Sequence, residues 1–140
     1  MTMEHYKHEV RYYECDRMGV THHSNYVRIM EEARIHWLDQ LGFGFEKIEA
    51  EGVFSPVISV SCEYKHPTTF KDVIDVEVNI AKMSEMKFDF SYVMRVGEKI
   101  VCKAQSSHCF IENDRPVAIS KRLPDFYNVL SQKAKASIGQ

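Results

Sequence analysis

The sequence contains no uninterrupted apolar run of the ~18 residues that a membrane-spanning helix needs. Its start, Met1 to His8, is polar where a signal peptide would carry an apolar core, so a cytoplasmic protein is expected. Cysteine is sparse: Cys15, Cys62, Cys102 and Cys109 form no C-x-x-C pair, and no N-x-S/T acceptor accompanies them. Both absences suit a reducing compartment, in which isolated thiols serve as small core residues. Six glycines and four prolines leave no linker, and there is no internal repeat, so one unit is expected across residues 1–140 with only Ser131–Gln140 reading as a loose tail. Neither sign of charge dominates. With 18 Lys and Arg against 20 Asp and Glu, the net charge of −2 provides no global field for nucleic acid, and any bound anion must meet a local patch. The G-x-G-x-x-G, G-x-x-x-x-G-K-[ST], H-E-x-x-H and G-x-S-x-G patterns are all missing, which excludes those phosphate loops, that zinc site and the nucleophile elbow.

What is present is patterned. From Asn25 to Leu41 the residues Tyr26, Ile29, Met30, Ala33, Trp37 and Leu41 fall on one helical stripe, and Val27, Ile35 and Leu38 widen it beyond that of an ordinary surface helix. Ser24 or Asn25 is suited to cap its start and Gly42 to end it in the left-handed conformation. A strand is expected over residues 6–14. After the helix the period becomes two, with Ile58, Val60, Cys62, Tyr64, then Ile74, Val76, Val78, Ile80, then Met86 to Met94, then Ile100 to Ile111. Val117–Ile119 reads as a short last strand, and Pro124 as the start of a helix presenting Phe126, Val129 and Leu130. Short turns between consecutive strands require antiparallel pairing. A helix apolar around most of its circumference is buried only if the sheet curls round it, giving an α+β fold whose free edges a second copy would cover.

The side chains best equipped for chemistry lie before that helix, in Glu14-Cys15-Asp16-Arg17-Met18-Gly19-Val20-Thr21-His22-His23-Ser24-Asn25-Tyr26. A helix N-terminus carries unpaired N–H groups and partial positive charge, so it suits a carbonyl oxygen developing negative charge, with Asp16 as attacking group or general base. The residues alone leave a second reading open, in which Asp16 only accepts backbone bonds in its loop and the histidines are solvated. A metal site from Asp16, His22 and His23 is disfavoured because adjacent histidines diverge.

Glu14-Cys15-Asp16, Gly19, His23-Ser24-Asn25-Tyr26 and Glu31-Glu32-Ala33-Arg34 resemble, in spacing and type, the signature of hotdog-fold acyl-CoA thioesterases of the 4-hydroxybenzoyl-CoA thioesterase and YbgC-like family. The resemblance covers nearly the whole chain. It implies a curled antiparallel sheet of five to six strands around one long central helix, and hydrolysis of the thioester of an acyl-CoA or acyl carrier protein to free acid and thiol. It implies Asp16 as the catalytic carboxylate and His23 as the residue whose N–H polarises the carbonyl. Gly19 matches the glycine at which the loop turns, and Asn25 and Tyr26 shape the helix start beside the substrate. No cofactor is implied beyond the coenzyme A of the substrate, no metal, no nucleic acid and no membrane insertion. A homo-oligomer, dimer or homotetramer, is implied as well.

The sequence departs from the family pattern at Glu14, Cys15 and Thr21-His22, and His22 is expected to face solvent. For the coenzyme A phosphates the candidates are Lys65, His66, Lys71, Lys82 and Lys87, with Lys65 and Lys82 foremost. His36 and His108 read as packing or surface residues. Two alternatives accompany the thioesterase reading: an acyl-thioester binding protein without turnover, and a dehydratase pairing His23 with Glu31 or Glu32.

Overall fold

The computed structural model describes residues 3–138. In chain order it contains β1 (Tyr6–Glu9), a 3-10 turn (Tyr12–Glu14), α1 (Ser24–Gln40), α2 (Phe45–Ala50), β2 (Val57–Tyr64), β3 (Val73–Met83), β4 (Lys87–Val96) and β5 (Lys99–Cys109). A two-residue ribbon of β6 (Ile111–Glu112) and β7 (Arg115–Pro116), then α3 (Ile119–Arg122) and α4 (Pro124–Ile138), complete it. The first five strands form one antiparallel sheet in the order β1-β3-β4-β5-β2.

Register explains the core. Val76 pairs with Met94 and Met94 with Cys102, so the alternating apolar residues of β3, β4 and β5 share one face. That face packs on α1, where Trp37 meets Phe90 edge-on at 5.3 Å between centroids. Tyr26, Ile29, Met30, Ala33, Trp37 and Leu38 of α1 are buried as the stripe predicts, while Val27 is 43% exposed. Arg34 is buried too, which no apolar periodicity announces.

Several expectations are corrected. The first strand ends at Glu9 because the chain turns there to bring Glu14 inside, leaving Tyr12 and Tyr13 exposed. Neither Ser24 nor Asn25 caps α1: His23 occupies the cap position with helical φ/ψ, the Ser24 hydroxyl pairs with His22, and the Asn25 amide turns to backbone carbonyls. Gly42 does take the left-handed conformation, at φ +80°. β2, expected to be half-buried, is an edge strand with Val57, Ile58, Val60 and Tyr64 all exposed. Val117 follows β7 rather than forming a strand, and Ile119 opens α3. Ser131–Ile138 continue α4 instead of forming a loose tail, because Phe126, Leu130 and Ala134 recur at helical spacing and bury one face. Gly139 and Gln140 lie outside the described residues.

Candidate active site

The Asp16 loop is built as a tight turn. Gly19 N–H donates to the Asp16 carbonyl and Asp16 N–H to the Val20 carbonyl, both at 2.9 Å. Asp16 Oδ1 accepts the Met18 N–H at 2.9 Å, and Gly19 sits at φ +79°, where a side chain would be strained. The loop is then stitched to the segment before β3. Thr21 N–H donates to the Thr68 carbonyl at 2.8 Å, and the Thr69 hydroxyl to the Gly19 carbonyl at 2.7 Å. The buried hydroxyls of Thr21 and Thr68 lie 2.6 Å apart, and Tyr26 Oη reaches Thr68 Oγ1 at 2.9 Å. This places the first turn of α1 against the same strap. Burial raises the Tyr26 phenol above its ordinary range, partly offset by the Thr68 bond.

A cleft of about 340 Å³ opens between the loop, the start of α1 and the end of β2, lined by residues including Asp16, Thr21, His23, Tyr26, Tyr64, Lys65 and His66. Asp16 is half-buried, and its Oδ2 carries no hydrogen bond among the described residues. The backbone N–H of His23, at the mouth of α1, is likewise without a partner among them. Free carboxylate oxygen and free helix-end donor therefore border one cleft, which is half-apolar through Tyr26 and Tyr64, ring centroids 5.2 Å apart. Burial and the neighbouring Cys62 push the Tyr64 phenol up to about 12, so it stays protonated; its hydroxyl donates to the His23 carbonyl at 3.4 Å.

The structure thus brings together Asp16, His23, Tyr26 and Lys65. His22 lies outside the lining, exposed, with Nδ1 2.8 Å from Ser24 Oγ. Asn25 is not a lining residue: its Nδ2 donates to the carbonyls of Glu14 (3.0 Å) and His22 (3.3 Å), and its Oδ1 accepts from Arg28. Of the cations, Lys65 is paired with Glu63 at 2.9 Å and His66 joins it at the cleft, with Lys71 over the Phe70 ring nearby in the chain. Lys82 and Lys87 flank the β3–β4 turn. At about 3.3 Å per residue, Lys82 stands roughly 30 Å along β3 from the cleft end of that strand, too far to share the site within one chain. Glu32 is engaged by Tyr6 Oη (2.5 Å), His8 and Arg28, so it does not form the dehydratase-type pair with His23. Among the described residues no cluster of three or more His, Cys, Asp or Glu is arranged to hold a metal ion.

Sequence reasoning missed the buried supports of the site. Glu14 is 1% exposed and anchored by His8, Arg11 N–H and Arg28. Burial pushes its carboxyl up, but these three bonds outweigh that and hold it below the usual carboxylate range. Only the signature position of Glu14 pointed to it; His8 and Arg28 carry no pattern of their own.

The family model of the thioesterase-like superfamily matches residues 10–133 of this chain, a span that includes the loop, α1 and the whole sheet beyond it. The chain belongs to the thioesterase-like superfamily. Curated relatives include an Aquifex aeolicus protein provisionally named an esterase, 37% identical over 84% of this chain and 92% of its own length. Another is Bacillus subtilis YneP, provisionally named an acyl-CoA thioesterase, 32% identical over 91% and 94% of the two chains. Among solved structures, the DHNA-CoA thioesterase of Staphylococcus aureus superimposes with a TM-score of 0.91 at 26% identity, covering 98% of this chain and 95% of that one. The resemblance to YbgC-like hotdog thioesterases therefore holds in fold and family, and the class of this thioesterase-like protein is thioester hydrolase. No described helix is long and apolar enough to cross a membrane.

Proposed function

We propose that this thioesterase-like protein hydrolyses the thioester of an acyl-CoA or acyl carrier protein at the cleft between Asp16 and the N-terminus of α1. The observation that supports it most is the pairing of an unengaged Asp16 oxygen with an unengaged His23 N–H on one half-apolar cleft. In this reading the thioester carbonyl oxygen faces the His23 N–H and the positive end of α1, which stabilise the negative charge that develops when the carbonyl is attacked. Asp16 either attacks the carbonyl carbon itself, forming a mixed anhydride that water then opens, or takes a proton from the attacking water. In both routes the carbon–sulfur bond breaks, the thiol leaves with a proton, and water supplies the oxygen of the product acid. A thiolate is a good leaving group, so no Ser-His-Asp triad is required.

The acyl group lies against Tyr26 and Tyr64 in this reading, while Lys65, His66 and Lys71 offer the local positive patch for coenzyme A phosphates. A second copy of the chain seated at the β2 edge would close the open apolar side of the site. The test is hydrolysis of aromatic, short, medium and long acyl-CoAs, followed by loss of thioester absorbance, since four protein thiols would react with a thiol reagent. Turnover is expected on at least one class, with KM rising with salt and with Lys65→Ala. No turnover on any thioester by a folded protein would overturn the proposal.

A further inference from the structure

The loop carrying Asp16 is tied to one buried residue two positions upstream, Glu14, whose carboxylate anchors one end and whose backbone carbonyl holds the other. Glu14 Oε1 accepts the Arg11 N–H at 2.7 Å, and His8 Nε2 lies 2.9 and 3.0 Å from the two carboxylate oxygens. Arg28 from α1 completes the set at Oε2. The backbone carbonyl of the same residue accepts the His22 N–H at 2.8 Å and Asn25 Nδ2 at 3.0 Å. One residue thus joins β1, the 3-10 turn, the residue before His23 and the first two turns of α1. Charge around it is matched by a second carboxylate: Glu32 contacts Arg28 and His8 from the outer side and accepts from Tyr6.

We propose that Glu14 is a positioning residue for thioester hydrolysis, setting the separation of the Asp16 carboxylate and the His23 N–H. The proposal rests on the reading of Asp16 and His23 given above. Residue 14 leads directly into Cys15 and Asp16 on one side, and through its carbonyl grips His22, the neighbour of His23, on the other. A displacement of Glu14 is therefore passed to both partners of the reaction. A carboxylate offers about four lone-pair sites for the donors of Arg11, His8 and Arg28, whereas an amide at this place would present N–H groups to N–H groups. None of these anchoring residues lines the cleft, so their loss acts on geometry rather than on substrate contact.

The test compares Glu14→Gln and Asn25→Ala with the wild-type chain for kcat, KM and melting temperature. Misplacing reacting groups by about 1 Å costs on the order of 100-fold. In Glu14→Gln that remains folded at the assay temperature, kcat is expected to fall roughly 10- to 100-fold with KM within about twofold. Asn25→Ala is expected to lower kcat by a smaller factor with the same unchanged KM. A purely stabilising role would lower the melting temperature and leave kcat of the folded protein intact, which overturns the proposal. A loss expressed in KM alone overturns it as well. If Glu14→Gln does not fold, Asn25→Ala decides, and unchanged kcat in that variant is the contrary result. Asp16→Asn separates the two levels: an inactive Asp16→Asn beside a normal Glu14→Gln removes only the positioning role, whereas a fully active Asp16→Asn removes both.

Discussion

His108 shows how far a single residue can be read from the sequence. Its place near the end of a strand marks it as a packing or surface residue, and the structure decides for packing: it stacks on Phe88 at 5.0 Å and is 1% exposed. Its partners are invisible in the sequence because they come from three elements. Arg34 of α1 donates to Tyr92 Oη at 3.2 Å, Tyr92 lies 2.6 Å from Ser106 Oγ, and Ser106 lies 2.7 Å from His108 Nε2. Arginine can only donate, whereas the hydroxyls of Tyr92 and Ser106 can each donate or accept, so the tautomer of His108 sets the direction of the chain beyond Tyr92. Burial, with the charge of Arg34 added and Asp89 opposing, lowers the His108 pKa to about 4. The unfolded chain thus binds a proton near pH 6.5 that the folded chain refuses until about pH 4. This site costs stability progressively as pH falls through that window, to a total of about 3 kcal/mol, and is neutral above it. Urea unfolding at pH 7 and pH 4.5 should show the loss, and His108→Gln, whose amide carries both a donor and an acceptor for Ser106 but does not titrate, should reduce it. An equal loss in that variant would assign the acid sensitivity to other groups.

Among the elements, α1 and the β3–β4–β5 meander were legible because each carries one strong period over ten or more residues. Short elements without a full period, α2, α3 and the β6–β7 ribbon, were not. The C-terminal segment is instructive, since polar composition after Ser131 suggested a tail while helical spacing ran on through Leu130 and Ala134. That element carries its own prediction. A chain ending at Leu130 loses the buried Ala134 and the last two turns of α4, and should melt several degrees below the full chain, whereas one ending at Ala136 should melt with it. Equal melting of all three would return this segment to the status of a tail. In the site itself, the family signature pointed to Asp16, Gly19 and His23, and the structure sets Asp16 and His23 at one cleft with Gly19 at the turn between them, whereas Lys82 lies at the far end of β3, because charge on a strand says nothing about which end of the sheet a ligand approaches.

At the scale of the whole molecule the sheet has two edges, and they differ. The β1 edge is four residues long, whereas β2 presents an eight-residue edge with Val57, Ile58, Val60 and Tyr64 exposed beside the cleft. An edge of that length and apolarity is a template for pairing with another chain. A dimer or larger assembly is therefore expected in light scattering, and Ile58→Lys combined with Val60→Lys should shift it toward monomer. Wild-type monomer at working concentration would contradict this.

The central claim is that the Asp16 carboxylate performs the chemistry at a thioester held by the end of α1. The most direct test measures kcat and substrate affinity of Asp16→Asn on the best acyl-CoA from the panel, by loss of thioester absorbance. A positioned acid–base or nucleophilic carboxylate is worth about 100- to 10,000-fold, so kcat should fall by that much while affinity stays within a few-fold of wild type. Turnover in Asp16→Asn close to that of the wild type would contradict the account, and would return Asp16 to the purely structural role that its bond to Met18 N–H also allows.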